Sequence, residues 1–186
     1  MNKPVEQARS SRGRERRGEH IKTATSEVRI ALPRDRHECI RLFQQAHAEN
    51  GIFTLAPEKV EFLMDRCLFS MAIPPHDTGP RGVIGVIGET GALQALCVLM
   101  IGQYWYTHDR HLEEMLVYVD PKHRVSLHAR ALIKWMMQQS EITGLPLLTG
   151  VVSNNRTAAK CALYGRMLTK VGEFYFHRGA VNGKAH

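Results

Sequence analysis

The stretch Val117-Tyr118-Val119-Asp120-Pro121-Lys122-His123-Arg124-Val125-Ser126-Leu127-His128-Ala129 decides the fold of this chain of 186 residues. Its first three residues end an apolar run that starts behind the Glu113-Glu114 pair. A run apolar at successive positions predicts a central strand over 113–119, covered on both faces. Asp120-Pro121 stops it, because proline brings no N–H to a ladder. After a basic turn, Ala129, Leu132, Ile133 and Met136 fall on one face of a helix predicted over 126–143. Gly144 and Pro146 end that helix, and 147–152 reads as a buried-type strand. Strand, helix and strand in this order make a crossover between parallel strands.

Toward the N-terminus, 82–88 and 92–106 flank Glu89-Thr90-Gly91 and read as a hairpin. The glycines at 82, 85, 88 and 91 recur every third residue, but they do not form GxGxxG and no helix follows, which argues against a dinucleotide site. Before a loop rich in proline (Pro74, Pro75, Pro80) come two amphipathic helices. The first starts at Asp35, with Glu38 completing a capping-box pattern, and buries Cys39, Leu42, Phe43 and Ala46. The second opens at Pro57 and buries Val60, Leu63, Met64 and Cys67. A short strand over 28–32 precedes both. Toward the C-terminus, a helix over 155–168 is expected to turn Ala158, Cys161, Ala162 and Gly165 inward, and a last strand over 171–178 follows. The order β-α-α-β-β-β-α-β-α-β predicts an α/β fold: a mixed, mostly antiparallel twisted sheet with helices on both faces.

Charge is unevenly spread. The chain holds 25 Lys+Arg against 18 Asp+Glu, a net +7. Residues 1–26 alone contain seven Lys/Arg and three Glu, with almost no large apolar side chains beyond Val5 and Ile21. That segment is expected to be a flexible basic tail, because it cannot bury enough surface to offset its ordering entropy. It is either a solvated extension or an arm for nucleic acid, and any nucleic-acid partner would be reached through it alone. Residues 27–186 are expected to form a single domain. No apolar run is long enough to span a membrane and none follows the basic N-terminus as in a secretory signal, so no membrane partner is expected. The four cysteines, Cys39, Cys67, Cys97 and Cys161, form no CxxC pair and sit among apolar neighbours. They read as buried free thiols of a cytoplasmic protein rather than zinc ligands. The ten histidines are scattered, with only His108 and His111 close, and no metal is expected.

Two junctions resemble the Gcn5-related N-acetyltransferase (GNAT) superfamily, and the resemblance covers about 28–178. At the first, the strand ending Val119-Asp120-Pro121 and the turn beginning at Arg124 are similar to the family's acyl-CoA segment, V-x-P followed by R/Q-x-x-G-x-G/A and a helix. Arg124 stands first, Ala129 last, and Leu127 stands where the first glycine is usual. The R-x-S-x-H-A form is similar to a variant found in phage-encoded members. At the second, Val152-Ser153-Asn154-Asn155-Arg156-Thr157-Ala158-Ala159 and then Ala162-Leu163-Tyr164 resemble the strand, Asn, helix and LY signature. The spacing from Asn155 to Tyr164 is longer than the family's common form. One family feature is short: few residues follow 178, so the last strand is expected to be absent, brief, or supplied by a second subunit in a homodimer.

The resemblance implies an acetyl-CoA-dependent N-acetyltransferase acting on an amine. The pyrophosphate would meet the helix start, where free N–H groups and a positive dipole end lie among Arg124, Val125, Ser126, Leu127, His128, Ala129 and Arg130. Leu127 is tolerable there if its φ is negative. The pantetheine arm would pair with Val117, Tyr118 and Val119 across a gap opened by splaying, with a bulge supplying unpaired groups. The same backbone would stabilise the oxyanion. Glu113, placed by simple alternation on the face of Met115, Val117 and Val119, is the expected general base, and Glu114 points the other way. Tyr164 is expected to face the CoA sulfur, and Asn155 to cap the last helix and reach the pantetheine. Two other readings stay open. One is a nucleic-acid binder acting through residues 1–26, and the other is a GNAT-type fold without catalysis. The acceptor is open among aminoglycosides, polyamines, peptide N-termini, protein lysines and bases of nucleic acid.

Overall fold

A computed structural model describes residues 27–74, 76–153, 156–173 and 175. The expected basic tail, Asn155 and half of the expected last strand lie outside the described residues. Five strands form one sheet in the order β1-β2-β3-β4-β5. These are β1 (Arg29–Ile30), β2 (Gly82–Glu89), β3 (Ala92–Gln103), β4 (Arg110–Val119) and β5 (Leu147–Leu148). The first four pair antiparallel and β5 joins β4 in parallel, as the crossover predicts. The helices are α1 (Arg36–Asn50), α2 (Pro57–Leu68), α3 (His128–Thr143) and α4 (Thr157–Gly165).

The sheet buries both faces. Leu96, Val98 and Met100 of β3 pack with Cys39, Leu42, Val60 and Met64 of α1 and α2. Ala95, Cys97 and Leu99, alternating with them, pack with Leu132, Ile133 and Met136 of α3. This alternation is the period of two expected of a strand between two helical layers. Gly85 is required by the α3 layer: a Cβ there would come within 2.8 Å of the Trp135 ring.

Several boundaries differ from expectation. The strand predicted over 147–152 is hydrogen-bonded only at Leu147–Leu148, because beyond Glu113 the β4 edge turns away from it. Val171–Glu173 and Tyr175 carry no strand. The capping box does not form. Asp35 instead accepts from Arg29, the Leu32 N–H and Thr90, and Glu38 from Arg41 and the Leu93 N–H. On α4 the small residues Ala158, Cys161, Ala162 and Gly165 are exposed, whereas Leu163 and Tyr164, with Met167 and Leu168 just after the helix, pack on the core. The larger side chains bury more apolar area and so orient the helix. Cys39, Cys67 and Cys97 are buried, but Cys161 is exposed with that outer face. Among the described residues no helix is long and apolar enough to cross a membrane, and no three His, Cys, Asp or Glu are grouped to hold a metal.

Candidate active site

The geometry of β4 builds the site. Val98 of β3 pairs with Leu116 and Leu99 with Glu114, which leaves Met115 as an extra residue, a bulge. Just before it, β4 makes its pairings to β5, at Leu112↔Leu147 and Glu113↔Leu148. Past the bulge the two strands splay. Asp120 donates its N–H to Gln94 of β3, so by alternation the main-chain groups of Val117 and Val119 face the gap. The gap opens into a cavity of about 720 Å³. β4, the start of α3, the chain after β5, the inner face of α4 and the end of α1 line it.

All the predicted site residues that are described line this cavity except Val125 and His128. Val125 is fully exposed on the outside of the turn. His128 is buried, with Nε2 2.8 Å from the Gln94 Oε1, so its ring points into the core. Burial and the neighbouring His123 hold it below the ordinary imidazole value. Leu127 has φ −87° and is exposed, so a side chain at the usual glycine position costs no left-handed strain. Among the described residues the N–H groups of Leu127, Ala129 and Arg130 have no acceptor, as expected for a first helical turn. Arg124 is engaged. Its Nη2 donates to Glu49 Oε2 at 2.5 Å and its Nε to the Val119 carbonyl at 3.2 Å, and it lies over the Tyr118 ring. Tyr118 donates to the other Glu49 oxygen at 2.5 Å.

The bulge also corrects the assignment of the two glutamates. An extra residue shifts alternation by one, so Glu114, not Glu113, shares the face of Val117 and Val119. Glu114 meets the phenol of Tyr164, which donates to its two oxygens at 2.8 and 2.9 Å. Burial pushes the Glu114 carboxyl up to about 7, against opposing effects of the Tyr164 hydrogen bond and Lys160. Burial and Glu114 together raise the Tyr164 phenol. Glu113 pairs across from Met100, on the α1–α2 side, and is exposed.

Sequence reasoning passed over three cavity residues besides Glu114. Lys160, one turn before Tyr164 on the same face of α4, donates to Ser153 Oγ at 2.8 Å and Asn50 Oδ1 at 3.1 Å. Burial and the charge of Arg124 lower its pKa. The spacing of four to Tyr164 was a usable signal for Lys160. Glu49 and Asn50 had none, because α1 meets β4 and α4 only through the tertiary fold.

No family model and no curated protein matches the chain. Solved structures do. One is a ribosomal-protein-alanine N-acetyltransferase from Brucella melitensis biovar Abortus 2308, 17% identical over 83% of this chain and 99% of that one, with TM-score 0.57. An integron cassette protein from the mobile metagenome of Cole Harbour salt marsh is 17% identical over 88% and 97%, with TM-score 0.59. A third, AAC(6')-Iy in complex with the bisubstrate analogue CoA-S-monomethyl-acetylneamine, is 12% identical over 83% and 98%, with TM-score 0.58. With its splayed β4 and β5, its bulge and these neighbours, the chain has the fold of the Gcn5-related N-acetyltransferases.

Proposed function

We propose that the chain is an N-acyltransferase that moves an acetyl group from acetyl-CoA to an amine in the cytoplasm. The observation that carries the reading is the Glu114–Tyr164 pair, set beside the gap where β4 and β5 part. A carboxyl near 7 is matched to taking a proton at neutral pH, and a raised phenol stays protonated until a stronger base meets it. The acyl-CoA neighbourhood is supported by the unpaired N–H groups at the start of α3 and by Arg130 and Arg156 in the cavity wall. That AAC(6')-Iy, which shares the fold, was solved with a CoA-linked bisubstrate analogue supports a CoA thioester as the donor.

In this reading the pantetheine arm lies in the gap against Val117 and Val119. Glu114 receives a proton from the acceptor ammonium, and the freed amine attacks the thioester carbonyl. A main-chain N–H of β4, with Val117 the best placed, hydrogen-bonds the oxyanion. As the C–S bond breaks, Tyr164 gives its proton to the departing thiolate and is reprotonated by the Glu114 carboxyl along their hydrogen bond. The second amine proton leaves to solvent. The base role that alternation placed on Glu113 passes to Glu114. Arg124 acts as a brace between the turn and Glu49, with its charge still at the turn.

Titration calorimetry with acetyl-CoA tests the function, and kinetics of Tyr164→Phe test the chemistry. Acetyl-CoA should bind, and the variant should lose kcat by about tenfold or more while its acetyl-CoA KM changes little, since the interaction strengthens as charge develops. Absence of binding at millimolar acetyl-CoA overturns the function. An unchanged kcat overturns the role of the tyrosine.

A further inference from the structure

We propose that the acceptor is a small polyamine. One amino group reacts beside Glu114, and a second, still protonated, is held between the Glu113 carboxylate and the aromatic rings that connect β3 to β4. The inference rests on the acyl-transfer reading above.

That connection is an exposed aromatic surface. Tyr104, Trp105 and Tyr106 are consecutive and exposed to 44%, 93% and 68%. Packing does not account for a tryptophan this open, and contiguous exposed aromatic surface marks a binding site. The rings are ordered against one another. Tyr104 stacks on Tyr106 at 5.5 Å on one side and on His111 at 5.1 Å on the other, and Trp105 meets Tyr106 edge-on at 5.5 Å. His111 leads back to the cavity. A Cβ on Gly102 would lie 2.7 Å from the His111 Nε2 and 3.0 Å from the Glu113 Oε2, so these two side chains lie together over a position that only glycine leaves open. Glu113 in turn lines the cavity. A continuous strip therefore runs from the reacting pair, past Glu113 and His111, to the rings.

The chemistry of the strip selects the ligand. Among the described residues the Glu113 side chain makes no ion pair or hydrogen bond, so its carboxylate is open to a cation on a ligand. Carboxylates and aromatic faces are the two groups that hold an ammonium, and tryptophan is the strongest of the aromatics. As consecutive residues of β4, Glu113 and Glu114 address opposite faces of the strand while lining one cavity. Two anionic positions reached from one cavity suit a ligand with two separated amino groups. An acceptor with one amine would leave Glu113 and the rings without a partner.

Steady-state kinetics with putrescine and butylamine, which differ in one terminal ammonium, test this on the full chain. The KM for putrescine should be about tenfold below that for butylamine. Tyr104→Ala and Glu113→Gln, both at exposed positions, should each raise the putrescine KM relative to the butylamine KM by about threefold to tenfold, with the acetyl-CoA KM unchanged. Equal KM values for the two amines in the wild type, or an unmoved putrescine KM in both variants, overturn the polyamine inference and leave the acyl-transfer reading standing. Transfer to neither amine with acetyl-CoA still bound does the same. Failure to bind acetyl-CoA overturns the acyl-transfer reading, and this inference with it.

Discussion

Glu114 carries the most consequential electrostatics of any single residue here. Its carboxyl is raised from 4.5 to about 7 because burial disfavours the anion, with the Tyr164 hydrogen bond only partly offsetting this. For catalysis the base must be ionised, so kcat/KM should climb with pH through a midpoint near 7. Glu114→Gln should remove that ascending limb and lower kcat/KM by about two to four orders of magnitude. The same shift has a sign for stability. A carboxyl raised in the folded state favours folding most when protonated, so this contribution is full below 4.5 and is lost as pH rises through about 7. Glu114→Gln should therefore gain thermal stability relative to wild type across that interval and level off above it. A pH series of melting temperatures checks this independently of activity. Identical pH dependence in the two proteins would show that Glu114 is not buried as described. Alternation alone could not single out Glu114. The residues Glu113-Glu114 announced a strand mouth with two carboxylates, but which one faced Tyr164 depended on a bulge. A bulge is set by how β3 and β4 pair, not by any local pattern in Leu112–Val119.

At the scale of elements, the start of α3 was the most legible part of the chain. Pro121 as a stop, the basic turn and the apolar period from Ala129 are local signals, and each has a structural counterpart one or two residues away. The extents of β5 and α4 were less legible for a physical reason. Hydrogen bonding across the sheet, not hydrophobicity, ends a strand, and 148–152 remains apolar after its partner has turned away. Over the helix expected at 155–168, the small residues and the larger Leu163, Tyr164, Met167 and Leu168 offered two apolar stripes, and the pattern of spacing ranked them equally. Packing against α3 and β4 chose the larger side chains. The Leu127 position makes a sharper claim about its element. With φ −87° the turn needs no glycine, and its donors to phosphate are main-chain groups. Leu127→Gly should leave acetyl-CoA affinity within about twofold. Leu127→Asp, which sets a negative charge at the same helix start, should weaken acetyl-CoA binding by several-fold at low salt and less at high salt. A tighter Leu127→Gly variant would mean that the turn in the complex adopts a left-handed conformation that leucine resists.

Across the whole molecule, the long-range closure of the sheet depends on one buried carboxylate. Asp35 is fully buried at the entrance to α1. It accepts from Arg29 of β1 at 2.7 and 3.0 Å, from the Leu32 N–H at 2.8 Å and from Thr90 in the β2–β3 turn at 2.8 Å. Arg29 also donates to the Gly88 carbonyl, so the same cluster holds the two-residue strand β1 on the edge of β2. So short a strand has too little ladder to stay paired on its own. The Arg29 guanidinium holds the Asp35 carboxyl far below its ordinary 3.8, ahead of the opposing effect of burial. A carboxyl depressed in this way stabilises the fold above its unfolded value and ceases to do so as pH falls through its folded value. Asp35→Asn keeps the shape but removes the charge, leaving a half-buried guanidinium without its counter-ion, and should cost about 3 kcal/mol at neutral pH. That is a large part of the stability of a domain this size. Denaturation of wild type and variant should differ by a constant amount above about pH 5 and converge steadily toward acid. A difference independent of pH would assign the loss to packing rather than charge. A variant as stable as wild type would mean that β1 is held by its main chain alone.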